Sequence, residues 1–320
     1  MKSVAVVGAS GFTGRELLHL LRRHRGVRAV PMSARADAPP RDSDTQPLDM
    51  ARLGEFDGVF LCTPHGAAAT LAATAVAAGA RVVDLSADFR LRDPAIYEQV
   101  YGAPHPAPEH LAEAVYGLTE HARPAVRSAR LVANPGCYPT SVLLPLLPLC
   151  QNGLLDEAAP IIADSKSGAS GAGARPTERT HFGNVHENFL AYGIGTHRHT
   201  PEIHQQLGSD RLVFTPHLLP VFRGILSTIY VTPARGIDDA AVRSCLMEHY
   251  GGEPFVAVLP DGTPELRDVQ RSNRCHIAAH ASGPLIVLTS AIDNLGKGAS
   301  GQALQNMNLM LGFHETEALT

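Results

Sequence analysis

Cys137 stands in NPGCYPT, residues 134–140, immediately before an apolar segment at 141–149 that reads as a helix. A cysteine at a helix N-terminus feels the positive end of the peptide dipoles and loses its proton more easily, which creates a nucleophilic thiolate. Asn134, just upstream, carries an amide able to hydrogen-bond a carbonyl oxygen or a phosphate. The remaining cysteines, Cys62, Cys150, Cys245 and Cys275, lie in apolar contexts and read as small core residues. With Cys137 the total is five, an odd number without CxxC spacing, which indicates neither a disulfide framework nor a structural zinc.

Histidine is the second chemical resource, with 16 in the chain. His197, His199 and His204 do not form HExxH, and His186-Glu187 has no second histidine at the required spacing, so no metal site is expected. The run GTHRHTPEI at 195–203 instead offers a histidine as general acid or base and Glu202 as a group to orient it or bind substrate. A third resource is DSKSGASGAG at 164–173, where Ser167, Gly168 and their small neighbours free successive backbone amides to face a phosphate or a nicotinamide ribose. Lys166, one of only three lysines with Lys2 and Lys297, argues against a plain linker there.

Residues 8–14 read GASGFTG. Between a buried strand and an amphipathic helix, Gly8 permits the tight turn, Gly11 lets amides approach a pyrophosphate and Gly14 lets the helix pack on the strand, with Ser10, Phe12 and Thr13 completing the loop. An NAD-selective site would place Asp or Glu near the end of the second strand; this chain has Ser33 and Arg35, which suit a 2′-phosphate and favour NADP. Open α/β sheets bind ligands at the carboxyl ends of their strands, which brings Pro64 and Ser86 toward the same cofactor.

The elements that must position these groups follow from hydrophobic period. Residues 3–7, 27–31, 57–62 and 80–85 read as strands and 12–24 and 66–78 as helices, an alternation that implies right-handed βαβ units and an open parallel sheet. After about 134 the texture changes: 212–214, 224–232, 255–259, 275–280 and 285–291 read as strands with few helices between them, an α+β domain on a largely antiparallel sheet. A last helix at 297–311 returns to the first domain, and 39–47 reads as an exposed polar loop. The expected division is 1–136 with 295–320 for the dinucleotide and 137–294 for catalysis and dimerisation.

At 320 residues, 44% hydrophobic and 18% charged, the chain is long enough for two domains and too apolar for disorder. A net charge of −4 gives no footprint for nucleic acid. No apolar run reaches the ~18–20 residues of a membrane helix, and a glycine-rich turn interrupts the start where a signal peptide would stay apolar, so a cytoplasmic protein is expected.

GASGFTG, TPHG at 63–66, DLSADFR at 84–90, NPGCYPT, DSKSGASGAG, HRHTPEI, HLLPVFRG at 217–224 and NLGKGASGQALQN at 294–306 together resemble the N-acetyl-γ-glutamyl-phosphate reductase family of the aspartate-semialdehyde dehydrogenase superfamily. The resemblance implies a Rossmann domain, a second domain forming a homodimer or homotetramer interface, NADP, a small acyl-phosphate substrate and a thioester on Cys137. It makes His197, the first histidine of the HRHxPE pattern, the acid/base. It brings Asn294 and Gly298 to the nicotinamide side. Arg90, Arg198 and Arg223 lie inside matching motifs and suit phosphate and α-carboxylate, with the division between them open. Two other readings stay open: a lysine-biosynthesis reductase acting on a carrier-linked aminoadipyl phosphate, and a non-catalytic nucleotide sensor.

Overall fold

Strand β1 (Lys2–Val7) is apolar from Val4 to Val7 because both its faces are covered, and these four side chains are fully buried. It lies inside a six-stranded, wholly parallel sheet in a computed structural model that describes residues 1–34, 44–175 and 177–320. The other strands are β2 (Val27–Met32), β3 (Gly58–Leu61), β4 (Arg81–Asp84), β5 (Val115–Tyr116) and β6 (Leu131–Ala133), in spatial order β2-β1-β3-β4-β6-β5. The order reverses between β2 and β3 on either side of β1, the topological switch point where such sheets bind ligands.

The connecting helices are α1 (Phe12–Leu21), α2 (Ala68–Ala77), α3 (Pro94–Tyr101) and α4 (Thr119–Ser128). Helix α1 buries Gly14, Leu17, Leu20 and Leu21 and ends before the expected residue 24, where the bonds of Arg23 to Leu20 and His24 to Leu21 tighten the last turn. Chain units divide at Cys137 and Ala299: Met1–Gly136 with Ala299–Thr320 form one compact body and Cys137–Gly298 the other. In this division the chain returns to the first unit at Ala299. The returning helix, α10 (Gly301–Leu311), is buried along nearly its whole length, and its Asn306 donates to the Gly117 carbonyl (2.8 Å).

The second unit is built on a seven-stranded mixed sheet, mostly antiparallel, in the order β11-β12-β13-β10-β7-β9-β8. Its strands are β7 (Ile161–Gly168), β8 (Leu190–Ala191), β9 (Leu212–Leu219), β10 (Ile225–Val231), β11 (Val256–Val258), β12 (Cys275–Ser282) and β13 (Leu285–Ile292). Its helices are α5 (Cys137–Gln151), α6 (Phe182–Val185), α7 (His199–Leu207), α8 (Asp239–Tyr250) and α9 (Leu266–Val269), more than the few expected. One face of the sheet is covered. On the other, Ile162 and Val213 remain 42% and 53% exposed. Half of DSKSGASGAG is strand: Ser165 and Ser167 are buried and alternate with half-exposed Asp164 and Lys166.

Helix α5 carries the nucleophile candidate and tolerates Pro145 and Pro148 in its interior. Pro148 has no N–H for the Leu144 carbonyl one turn earlier, and the Tyr250 hydroxyl of α8 donates there instead (2.5 Å). A serine relay, Ser141 to Ser227 to Ser165, each step 2.7 Å, ties α5 to the sheet below it.

Candidate active site

In the first unit the glycine loop follows β1 directly. Gly8 adopts φ +83°, and a Cβ on it would collide with the Cys62 backbone; a Cβ on Gly14 would lie 2.7 Å from the Ala9 Cα. Gly11 is the N-cap of α1, with no side chain capping the first turn. Its uncapped amides are the kind of cradle that a pyrophosphate fills, with Ser10, Phe12 and Thr13 around it. Ser33 ends beside β2 with its hydroxyl accepting from the Leu48 amide (3.1 Å). Arg35 lies outside the described residues.

The loops after β3 and β4 meet through one carboxylate. Asp88 accepts from the amides of Gly66 (2.7 Å), Ala68 (3.1 Å) and Ala69 (3.0 Å), capping α2, and from the Tyr97 hydroxyl (3.0 Å). Pro64 is exposed in that turn. Ser86 is clamped between Asp84 (2.7 Å) and the Asp88 amide (3.1 Å). Burial and the neighbouring Asp88 push the Asp84 carboxyl up to about 7. Arg90 is turned inward, donating to the carbonyls of Asn134 (2.8 Å) and Leu85 (2.9 Å). The Asn134 amide is likewise engaged, donating to Ala299 and accepting from Asn306, both at 3.2 Å. Both are candidate substrate ligands, and these bonds tie them to the loops that end β4 and β6.

The second unit holds a cavity of about 900 Å³ lined by Cys137, Ser167, Gly168, His197 and Arg198, groups brought together from α5, β7 and the entry to α7. Cys137 heads α5, where the first-turn amides favour a thiolate. Among the other thiols, burial pushes Cys62 up to about 12 and raises Cys150 and Cys245, while Cys275 is fully buried. Gly298 makes room for the nucleophile: a Cβ there would sit 2.8 Å from that of Cys137.

His197 sits among aromatic rings, edge-on to Tyr138 (5.6 Å), Tyr192 (5.6 Å) and Phe214 (5.3 Å). Burial first, then the neighbouring Arg198 charge, push its imidazole down to about 4. Its Nδ1 accepts the backbone N–H of His199 (3.1 Å), so the neutral ring carries its proton on Nε2. A lone pair for removing a proton is therefore already occupied. Glu202 is buried in the first turn of α7.

Two further candidate ligand residues of this unit, Arg223 and Asn294, make bonds within its frame. The Arg223 Nε lies 2.6 Å from the carboxylate of Asp293, which also accepts from the amides of Leu295 and Gly296 and so shapes the π turn at Gly296–Ser300. Asn294 accepts from the Gly224 amide (2.7 Å) and donates to the Ser170 hydroxyl (2.9 Å), pinning the end of the glycine-rich stretch. Arg179 was not anticipated, because it lies outside every recognised motif; the structure puts it on the cavity wall, its guanidinium 5.6 Å from the Tyr192 ring centre. Among the described residues no cluster of His, Cys, Asp and Glu could hold a metal, and no helix is long and apolar enough to cross a membrane.

Residues 3–129 match the semialdehyde dehydrogenase NAD binding domain and residues 137–294 the semialdehyde dehydrogenase dimerisation domain. N-acetyl-gamma-glutamyl-phosphate reductase of Nitrosococcus oceani is 46% identical over all of this chain and 98% of its own, and that of Azotobacter vinelandii 47% identical over 98% and 97%. The crystal structure of aspartate semialdehyde dehydrogenase II from Vibrio cholerae complexed with ASA shares the fold at a TM-score of 0.73 and 17% identity, covering 98% of each chain. With a glycine turn at the switch point of a parallel sheet and a cysteine-headed helix over a mixed one, the chain belongs to the semialdehyde dehydrogenase family.

Proposed function

We propose that this protein is an NADP-dependent reductase that converts N-acetylglutamyl 5-phosphate to N-acetylglutamate 5-semialdehyde, a step of arginine biosynthesis. The observation that carries the reading is Cys137 at the head of α5, opening on a cavity that also presents His197 and Arg198. The names of the full-length relatives support the substrate.

In this reading the Cys137 thiolate attacks the acyl carbon, the C–O bond to phosphate breaks, and the leaving phosphate takes up a proton from solvent. A thioester results, more reducible than an oxygen ester. The Gly8–Gly14 turn, with Ser33 at the end of β2, would hold the dinucleotide, which when bound would supply the hydride. The resulting oxyanion needs a donor and not an acid, because its collapse to the aldehyde expels the Cys137 thiolate with no proton moved. His197 Nε2–H is that donor, and Arg198 holds the phosphate. Glu202, buried in the first turn of α7, helps orient that entry. Gly298 keeps the space at Cys137 open.

A homodimer or homotetramer accompanies this reading, supported by the match to a dimerisation domain and by the exposed apolar residues Ile162 and Val213 on one sheet face. A thiol nucleophile suits a reducing compartment, which favours the cytoplasm. The test runs the reaction backwards. Semialdehyde, phosphate and NADP together should give reduced cofactor, with NAD a poorer substitute. Reduction that ignores phosphate, or none at all, overturns the proposal.

A further inference from the structure

Of the arginines expected to bind anions, Arg223 is paired with Asp293 and Arg90 with backbone carbonyls. Arg198 lines the cavity, and so does Arg179, for which no role has been assigned. Arg179 rides on a fixed turn. Thr177 and Thr180 each accept the other's backbone N–H at the hydroxyl (3.2 and 3.0 Å), and Asn184 donates to the Glu178 carbonyl between them (2.7 Å). Its guanidinium lies over the Tyr192 ring, whose hydroxyl is 3.1 Å from that of Tyr138, the residue after Cys137. Cys137, Arg179 and Arg198 are all within electrostatic reach of the Tyr192 hydroxyl.

We propose that Arg179 selects the substrate by pairing with a carboxylate set apart from the reacting acyl group. The proposal rests on the acyl-phosphate reductase reading. A guanidinium over a ring is attracted to the ring face and still has N–H groups to offer a carboxylate. That attraction also restrains the side chain beforehand, so less rotamer freedom is lost on binding. The position suits a distal anion: Arg198 adjoins His197 in the chain, whereas Arg179 reaches the same cavity over the Tyr192 ring, whose hydroxyl meets that of Tyr138, the residue after Cys137. Glu178 lines the same wall, and its charge opposes an anion there.

The experiment compares two acyl phosphates, N-acetylglutamyl 5-phosphate and butyryl phosphate, which lacks the distal carboxylate, with the unaltered enzyme, Arg179→Met, Arg179→Lys and Glu178→Gln. Arg179→Met should raise KM for the carboxylate substrate by ~10- to 100-fold, the range of a charge-assisted pair, with kcat nearly unchanged and butyryl phosphate unaffected. Lysine should recover part of the loss, and Glu178→Gln should lower that KM. An equal effect on both substrates, or none on either, overturns the proposal. If the unaltered enzyme reduces neither, the functional reading fails and calorimetry decides this inference separately. N-acetylglutamate binding that weakens in Arg179→Met sustains it, whereas no binding, or equal binding by both proteins, overturns it.

Discussion

Replacing His197 by glutamine separates two roles that a histidine usually combines. Its imidazole is pushed from 6.5 to about 4, chiefly by burial, so at pH 7 roughly one molecule in a thousand carries the imidazolium. The unfolded chain takes up that proton near 6.5 and the folded one only near 4. The contribution of the neutral ring to stability is therefore complete above pH 6.5 and is lost as pH falls through the window from 6.5 to 4, by ~3 kcal/mol in total. His197→Gln has no such proton. In urea unfolding between pH 7.5 and pH 4, the wild type should lose about that much more stability than the variant. Glutamine also keeps an N–H at the end of a side chain of similar reach. It should hold turnover within about tenfold, whereas His197→Ala should lose the ~10²- to 10⁴-fold typical of a group acting on the transition state. Turnover should show no histidine break between pH 6 and 8. A break near 6.5 that disappears in both variants, with glutamine as inactive as alanine, would show that His197 moves a proton and refute the donor assignment.

Alkylating reagents should label Cys137 well before the other four thiols at pH 7, checked by peptide mapping, since burial holds Cys62 near 12 and raises Cys150 and Cys245. Asp84→Asn mimics the protonated acid. Because the folded carboxyl titrates near 7 and the unfolded one near 3.8, wild-type stability should fall as pH rises from 4 to 8, and the variant should flatten that slope in urea melts. Gly298→Ala places a methyl 2.8 Å from the Cys137 Cβ and should slow both alkylation of that thiol and turnover by at least tenfold, at a stability cost of ~1–3 kcal/mol. Tyr250→Phe removes the donor that replaces the missing Pro148 N–H and should cost ~1–3 kcal/mol in stability.

What was legible in the sequence was whatever depends on local pattern. The buried run before Gly8 and the stripe after Gly14 place β1 and α1, and strict alternation places β10, β12 and β13 within a residue or two. Pro216 cut the expected strand short, yet β9 continues through it to Leu219, with the Pro216 carbonyl still accepting from Tyr192 (3.0 Å). Helix α8 was missed because only Val242, Leu246 and Tyr250 are buried, a thin stripe in a polar segment. The site was harder for a different reason. Belonging to a motif marks Arg90, Arg223, Asn134 and Asn294 as needed, but not whether they face a ligand or hold the frame; that is decided by which carbonyl or carboxylate lies beside them in space. Arg179 carries no local signal at all, being an ordinary polar-loop arginine until the Tyr192 ring is beneath it.

The central claim is that the reaction passes through a covalent acyl group on Cys137. Enzyme mixed with N-acetylglutamyl 5-phosphate in the absence of reduced cofactor, quenched in acid and digested, should show by mass spectrometry an N-acetylglutamyl adduct on the peptide containing Cys137, discharged when NADPH is added before the quench. Cys137→Ser should show no thioester. Turnover by the unaltered enzyme with no adduct, or with the adduct on another residue, would contradict the account.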